Sequence, residues 1–257
     1  MRFTVRFWLS LGVALCMLIG FTGCGKENVK YNELSPEDQF AQTKRLFDKK
    51  DYYKAKMQFT VLVLNHPGSA IVESTQYYLA ECHFFLKEYL LAVAEYEKLI
   101  KSLPQSDLVD DARYRTGLCY EKLSPSFGLD QEYTYKAINQ YQLFLDDYPD
   151  SDLRPVVEAH LSACREKVAK KEYKMGELYR KMGYDTAAVI SFNAVLDDYG
   201  DTSFADDALF WKAECLRKLD NRPQARNTYE TLIATHPNSV FAERARNRLK
   251  DLSKRRR

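Results

Sequence analysis

The stretch "HPGSAIVESTQYYLAECHFFLKEYLLAVAEYEKLI", residues 66–100, contains the pattern that decides the fold. It begins with a helix stop at Pro67, continues with apolar residues at helical spacing, and ends shortly before a second stop at Pro104. Ala92 and Tyr96 are four residues apart and therefore share one helical face. Two helices between two stops predict a helix-turn-helix unit.

The same pattern occurs five times along the chain. Each stop is a Pro or Gly, followed two residues later by a Ser or Thr that is predicted to cap the next helix. An alanine stands twelve residues before each stop, and an aromatic follows four residues after it, so both face the core. The stops lie in "NHPGS" (65–69), "SLPQS" (102–106), "DYPDS" (147–151), "DYGDT" (198–202) and "THPNS" (235–239), the alanines are Ala55, Ala92, Ala137, Ala188 and Ala225, and the aromatics are Phe59, Tyr96, Tyr141, Phe192 and Tyr229.

A further small residue stands twelve residues before the alanine in the second, fourth and fifth units, at Ala80, Gly176 and Ala213. The third unit carries an insertion at 124–131 that is predicted to lengthen its turn. The fourth is longer still and contains no helix breaker, which predicts one first helix from about Leu153 to Met182.

These units resemble the tetratricopeptide repeat. The expected fold class is all-α, a right-handed superhelical solenoid of five tetratricopeptide-like helix pairs plus a C-terminal helix.

Composition excludes several classes of function. Without Arg2 and Arg6, which lie in the N-terminal apolar segment, the chain has 36 basic and 36 acidic side chains, so a nucleic-acid partner is not expected. No phosphate-binding loop, nucleophile motif or metal-ligand spacing occurs, so we expect no enzyme, no metal and no cofactor beyond a lipid. Cys82, Cys119, Cys164 and Cys215 each follow a stop by fifteen residues. We interpret them as buried small side chains, because equivalent positions in successive units are too far apart for disulfides.

The N-terminus has the layout of a secretory signal peptide, assigned to residues 1–23 and removed. Its apolar stretch, 7–21, is short for a membrane span, although an uncleaved anchor helix is the alternative. "GFTGC" resembles the lipobox of bacterial lipoproteins, which implies that Cys24 carries a diacylglycerol and an N-acyl chain. Residues 24–34 would then form the lipidated N-terminus and a short leash to the membrane.

Aromatic residues beyond those of the repeat are concentrated in the first units. With nearby basic residues they predict a groove for an extended apolar peptide that ends in a carboxylate. The alternative is that each of these rings packs between helices. The candidate peptide-binding residues are Tyr52, Tyr53, Tyr77, Tyr78, Phe84, Phe85, Lys87 and Arg113.

The lipobox and five units, with "LDQEYTYKAINQYQLFLDDYPDS" (129–151) and "VAKKEYKMGELYRKMGYDTAAVISFNAVLDDYGDT" (168–202), together resemble the BamD family. The resemblance implies a lipoprotein of the outer-membrane β-barrel assembly machine that faces the periplasm. Repeats 1–3 (35–151) would receive unfolded outer-membrane proteins. Repeats 4–5 with the capping helix (152–257) would dock on a BamA-like β-barrel subunit, and other assembly lipoproteins are further possible partners.

The resemblance also implies a docking surface in the C-terminal units, at Tyr179, Arg180, Lys181, Tyr184, Arg217 and Arg226. Members of the family place an arginine in the second helix of the fourth unit, where this chain has Ser191. Arg180, Arg217 and Arg226 are the candidates to replace it. The alternative function is a scaffold for another envelope machine, for pilus assembly or the peptidoglycan-linked Tol system. A cell-wall hydrolase would require a titratable cluster in the groove.

Overall fold

The computed structural model describes residues 31–254, which form helices and connecting turns without a strand. A short 3₁₀ turn at Tyr31–Glu33 precedes the first α-helix. The predicted signal peptide, Cys24 and residues 255–257 lie outside the described residues. The helices are α1 (Pro36–Asp48), α2 (Tyr52–Asn65), α3 (Val72–Phe85), α4 (Tyr89–Ser102), α5 (Val109–Leu123), α6 (Glu132–Asp147), α7 (Arg154–Lys181), α8 (Asp185–Asp198), α9 (Ala205–Lys218), α10 (Arg222–Thr235) and α11 (Ala242–Lys254).

Successive helices pack in pairs, α1 with α2 through α9 with α10, and α11 covers the end of the last pair. Each helix packs mainly on the helices before and after it in the chain, as in a solenoid, where every unit contacts its neighbours. The predicted solenoid of five helix pairs and a C-terminal helix is confirmed. The predicted long helix is also confirmed, since α7 runs from Arg154 to Lys181.

The repeat alanines and aromatics form the core, and all ten side chains are fully buried. In the second to fifth units a small residue of the first helix packs with the aromatic of the second helix, which lets the two helices approach closely. The sequence pattern identified this residue in three units and missed Gly117 in the third, and in the first unit Thr43 is fully buried at the equivalent position. An added Cβ on Gly117 would come within 2.5 Å of the Tyr141 ring.

The two insertions pack against each other. Gln131, fully buried, donates from Nε2 to the carbonyl oxygens of Ser126 and Leu129 at 2.9 and 3.1 Å, which closes the loop at 124–131. The extended α7 supplies Lys167, which donates to the Ser124 hydroxyl at 2.6 Å, and Lys171, which donates to the Leu129 carbonyl. The extra residues of the fourth unit therefore support the lengthened turn of the third.

The turns inside four units share one backbone feature. The residue five positions before the repeat alanine has a positive φ between 56° and 83° in each of them: Lys50, Lys87, Gly183 and Asp220. This left-handed conformation ends the first helix and reverses the chain, and only glycine adopts it without steric cost. The third unit replaces this turn with its inserted loop.

The predicted serine caps are partly wrong. Ser106, Ser151 and Ser239 accept a hydrogen bond from the amide two residues later, which still precedes the helix. The cap residues of α3, α5, α7 and α9 are apolar and make no side-chain cap bond. The extra turn between each stop and its helix moves the helix start beyond the reach of the serine.

The interpretation of the four repeat cysteines is confirmed, because all four are buried and free. Burial raises the pKa of each thiol to about 12. Such thiols stay protonated at neutral pH and have the character of small apolar side chains.

Candidate functional site

Three of the six candidate peptide-binding aromatics meet in one cluster where α1, α2 and α3 come together. The Phe47 ring lies 5.3 Å from Tyr52, 5.2 Å from Tyr78 and 5.7 Å from Phe85, measured between ring centroids. Tyr52 and Phe85 stack at 4.7 Å with their planes 9° apart. We call these four rings, with Lys44 over two of them, the N-terminal aromatic cluster.

Phe84 and Tyr77 adjoin this cluster and are half-buried. Phe84 contacts the Phe85 ring at 5.6 Å, and Tyr77 contacts Tyr78 at 5.7 Å. Burial raises the pKa of Tyr77, as expected for a phenol held between helices. These two rings therefore contribute mainly to packing, while the Phe85 side chain remains exposed at the surface of the cluster.

Three other predicted residues lie outside the cluster. Tyr53 is exposed on the far side of α2, and its ring has Lys56 as its cationic neighbour at 5.6 Å. Lys87 is the exposed left-handed residue of its turn. Arg113 lies in the next unit, where it forms an ion pair with Asp147 at 3.4 Å. The structure therefore does not place all eight residues on one surface.

The C-terminal candidates surround the end of α7. The Arg180 guanidinium lies 3.9 Å from the centre of the Trp211 ring, a short cation–π contact. No carboxylate of the described residues comes within 4.0 Å of it as an ion-pair partner. Arg180 therefore keeps an unneutralised charge beside an aromatic surface.

The other basic candidates are neutralised. Arg217 pairs with Glu214 at 3.1 Å, Arg226 pairs with Glu230 at 2.9 Å, and Lys181 pairs with Glu177 at 3.3 Å. Ser191 is buried against the core of its unit. Among the three arginines considered as replacements for the family arginine, Arg180 alone has no acidic partner in the described part of the chain.

Apolar side chains are also exposed at the end of α7, on the side of the helix opposite to Arg180. Leu178 and Met182, the residue that follows α7, are four residues apart and share that side, and Tyr184 follows in the turn; all three are more than half exposed. Tyr179 instead packs into the core between α7, α8 and α9. The end of α7 therefore carries an arginine without an ion-pair partner on one side and an exposed apolar patch on the other, and both residue types are common in protein interfaces.

Sequence reasoning missed a set of buried hydrogen-bonded carboxylates between units. The Tyr141 hydroxyl donates to Glu121 at 2.7 Å, and His160 of the next unit contacts the same carboxylate at 2.8 Å. In the second and fifth units the glutamate directly follows the small residue. There Tyr96 donates to Glu81, which accepts from Arg115 at 2.8 Å, and Tyr229 donates to Glu214, which accepts from Arg248 at 2.7 Å.

Glu81 and Arg115 are 34 residues apart, and so are Glu214 and Arg248. This spacing equals one ideal repeat, so the sequence could have revealed these two contacts between units.

These groups hold adjacent units together and show no geometry for catalysis. In residues 31–254, no group of three or more His, Cys, Asp or Glu side chains is placed to hold a metal ion. Over the same range no helix is both long and apolar enough to cross a membrane. What the described surfaces offer is binding, by exposed aromatic, apolar and cationic side chains.

A model of the family YfiO, described as "Outer membrane lipoprotein", matches residues 32–229, from the first 3₁₀ turn to the aromatic residue of the fifth unit. The chain belongs to the YfiO family. This membership confirms the sequence-based family assignment and associates the protein with the outer membrane. The protein is not an enzyme, in agreement with the prediction, since the family is non-enzymatic.

Several relatives of this YfiO-family chain carry the name "Outer membrane protein assembly factor BamD". The protein of Rickettsia prowazekii is 25% identical over 196 residues, which cover 76% of this chain and 78% of that one. Those of Caulobacter vibrioides and Neisseria gonorrhoeae are each 22% identical and cover 87% and 92% of this chain and 75% and 92% of their own.

Among solved structures, the chain is similar to the TPR2AB domain of yeast Sti1 in its complex with pHSP90. The TM-score is 0.43 at 16% identity, over 86% of this chain and 84% of that one.

Proposed function

We propose that the protein is the BamD-type subunit of an outer-membrane β-barrel assembly machine. In this role it is a scaffold that receives unfolded outer-membrane proteins and docks on a BamA-like β-barrel subunit for their insertion. The observation that carries the proposal is the similarity to several assembly factors named BamD over 76–92% of the chain. The similarity extends over the helix pairs at both ends of the solenoid, so it supports both roles.

A lipid at Cys24 would hold the scaffold at the periplasmic face of the outer membrane. The family description as a lipoprotein and the "GFTGC" sequence at 20–24 support this anchor, with a diacylglycerol and an N-acyl chain on the cysteine. Several acyl chains give a stable attachment, whereas one chain binds only marginally. The expected test is mass spectrometry of the N-terminal peptide, which should carry three acyl chains on Cys24.

The first three units, up to residue 151, are the proposed client side. Phe85 and Tyr52 form a stacked pair that is partly accessible from solvent, and Lys87 follows two residues later. Aromatic rings suit the alternating apolar side chains of a β-strand, and an ammonium group suits a terminal carboxylate. Tyr77, Tyr78 and Phe84 would support this surface from beneath, and Arg113 lies at the border with the next unit.

The fourth and fifth units are the proposed docking side for the BamA-like subunit. Arg180 supports this assignment, because it has no ion-pair partner in the described part of the chain and lies over the Trp211 ring. An acidic side chain of the partner subunit would pair with Arg180, in place of the family arginine that is absent at Ser191. Arg217 and Arg226 are less suited, since each would first have to leave its own glutamate.

Co-purification from mild detergent tests this function. The tagged full-length protein should retain a BamA-like β-barrel subunit and other assembly lipoproteins. Recovery of pilus or Tol components without a barrel subunit would instead favour the alternative of another envelope machine.

A further inference from the structure

Helix α2 has a second apolar face, which is directed away from the core. Four large apolar side chains recur along it at intervals of four, four and three residues, on the side opposite to buried Ala55 and Phe59. None of the described residues covers them, and no charged side chain interrupts them. This outer stripe consists of Tyr53, Met57, Val61 and Leu64, which are 63%, 54%, 44% and 71% exposed.

The other units do not have this stripe. The same four positions of the repeat lie two residues before and two, six and nine residues after the repeat alanine. In each of the other units at least two of the four are polar, charged or small. The equivalent residues are Leu90, Ala94, Lys98 and Lys101 in α4, Tyr135, Asn139, Leu143 and Asp146 in α6, Thr186, Ile190, Ala194 and Asp197 in α8, and Pro223, Asn227, Thr231 and Ala234 in α10.

The outer stripe lies beside the point where the described chain begins. The Tyr31 hydroxyl is 2.8 Å from the Thr43 hydroxyl, which donates to the side-chain oxygen of Gln58 at 3.0 Å. Gln58 is one helical step of 100° from Met57 on α2, so the Tyr31 hydroxyl is linked through Thr43 to the side of α2 that adjoins the stripe. Tyr31 lies seven positions after Cys24, and a chain of this length reaches at most about 25 Å.

Basic residues border the stripe at the start of α2. Lys49 and Lys50 are exposed and have no ion-pair partner among residues 31–254, whereas Lys54, in the first turn of the helix, pairs with Asp51 at 2.9 Å. Apolar side chains flanked by a tyrosine and lysines are the composition of surfaces that enter the head-group region of a bilayer. The lysines would also be attracted to anionic lipids.

We propose that the outer stripe of α2 rests on the bilayer that carries the lipid anchor, as a second membrane contact. The proposal rests on the lipid at Cys24 assigned in the proposed function. A short tether alone leaves the solenoid free to swing, whereas a tether and an adjacent apolar face together fix the angle of the first unit. The membrane contact would then set the direction in which the later units extend.

Depth-dependent quenching of tryptophan fluorescence tests this contact. The acylated mature protein is reconstituted in vesicles of phosphatidylethanolamine and phosphatidylglycerol, with and without bromine on the acyl chains. The probe is Val61→Trp, and its control is Thr231→Trp, at the same repeat position in the fifth unit. The unaltered protein gives the emission of Trp211, and far-UV circular dichroism verifies the fold of each variant.

Brominated lipids should quench the Val61→Trp emission and leave the Thr231→Trp emission unchanged. Leu64→Trp, a second probe in the stripe, should also be quenched. If vesicles float with the protein but neither stripe probe is quenched, the stripe faces water or another protein and the proposal is overturned. If the protein does not float with the vesicles, the anchor itself is absent and the proposal also fails. Because the vesicles contain no barrel subunit, these outcomes are independent of the co-purification result.

Discussion

The Tyr141 ring occupies the space that a side chain on Gly117 would need, since an added Cβ would lie 2.5 Å from Tyr141 Cε1. The same relation holds in the fourth unit, where an added Cβ on Gly176 would lie 2.7 Å from the Phe192 ring. The small residue of the first helix and the aromatic of the second therefore set the spacing between the two helices of a unit.

We predict that Gly117→Ala destabilises the protein although alanine is the better helix former. Displacing a fully buried ring costs about 1–3 kcal/mol, while the helix gains about 1 kcal/mol, so a net loss of up to about 2 kcal/mol is expected. Denaturant unfolding measures the difference. Gly128→Ala is the control, because its added Cβ would contact nothing within 4 Å. Equal midpoints for the two variants would contradict the packing argument.

Substitutions at the left-handed turn residues Lys87 and Gly183 should change the stability of the protein in opposite directions. Lys87→Gly should stabilise the protein by roughly 0.5–1 kcal/mol, because glycine adopts the positive φ of this turn without steric cost. Gly183→Ala should destabilise it by about 1 kcal/mol for the same reason. Thermal unfolding of both variants checks the pair. A lower melting temperature for Lys87→Gly would show that the lysine side chain makes a stabilising contact.

Glu214 should make the stability depend on pH. Burial favours its neutral form, but hydrogen bonds from Tyr229, Arg217 and Arg248 outweigh burial and lower the pKa of the carboxyl. A carboxyl with a lowered folded-state pKa contributes stability above its unfolded pKa of about 4.3 and loses it as the pH falls through the folded value. Glu214→Gln should therefore cost about 1.5–3 kcal/mol at pH 7, and the difference should shrink below about pH 4.

Glu81, at the same repeat position, is the matched comparison. Burial raises its pKa, although Arg115 and the Tyr96 hydroxyl act in the opposite direction. It has one arginine partner where Glu214 has two, so the charged form is less compensated. Carboxyl-carbon NMR should show Glu81 titrating at a higher pH than Glu214. The reverse order would contradict the account of this network.

Much of the fold follows from the sequence, because the repeat is defined by short spacings between helix stops, alanines and aromatic residues. The stops, the alanines and the aromatics predicted each unit, and the absence of a breaker predicted the length of α7. Thr43 and Gly117 were missed for two different reasons. Threonine is not among the smallest residues, and the insertion at 124–131 shifts the spacing in the third unit by eight residues.

The candidate site was less well predicted. The sequence analysis treated Arg180, Arg217 and Arg226 as equivalent, although Glu214 and Glu230 stand three and four residues from two of them, at helical spacings that favour ion pairs. Tyr52 and Tyr53 are adjacent in the sequence, yet one stacks on Phe85 and the other faces away on α2. Adjacent residues on a helix point 100° apart, so these two side chains have different neighbours.

Arg180→Ala is predicted to weaken docking on the BamA-like subunit. Loss of an unpaired arginine at the centre of an interface should cost about 1–2 kcal/mol of binding free energy. Arg226→Ala, which removes an exposed arginine already paired with Glu230, should change affinity by less than about 0.5 kcal/mol. Titration of the purified subunits measures both. A larger effect of Arg226→Ala would move the docking surface to α10.

The most direct test of the proposed function is depletion of the protein in the cells that make it. Quantitative mass spectrometry of outer membranes should then show a loss of many β-barrel proteins, while other outer-membrane lipoproteins keep their abundance. An unchanged level of β-barrel proteins after depletion, with a defect limited to pili or to the peptidoglycan-linked Tol system, would contradict the account.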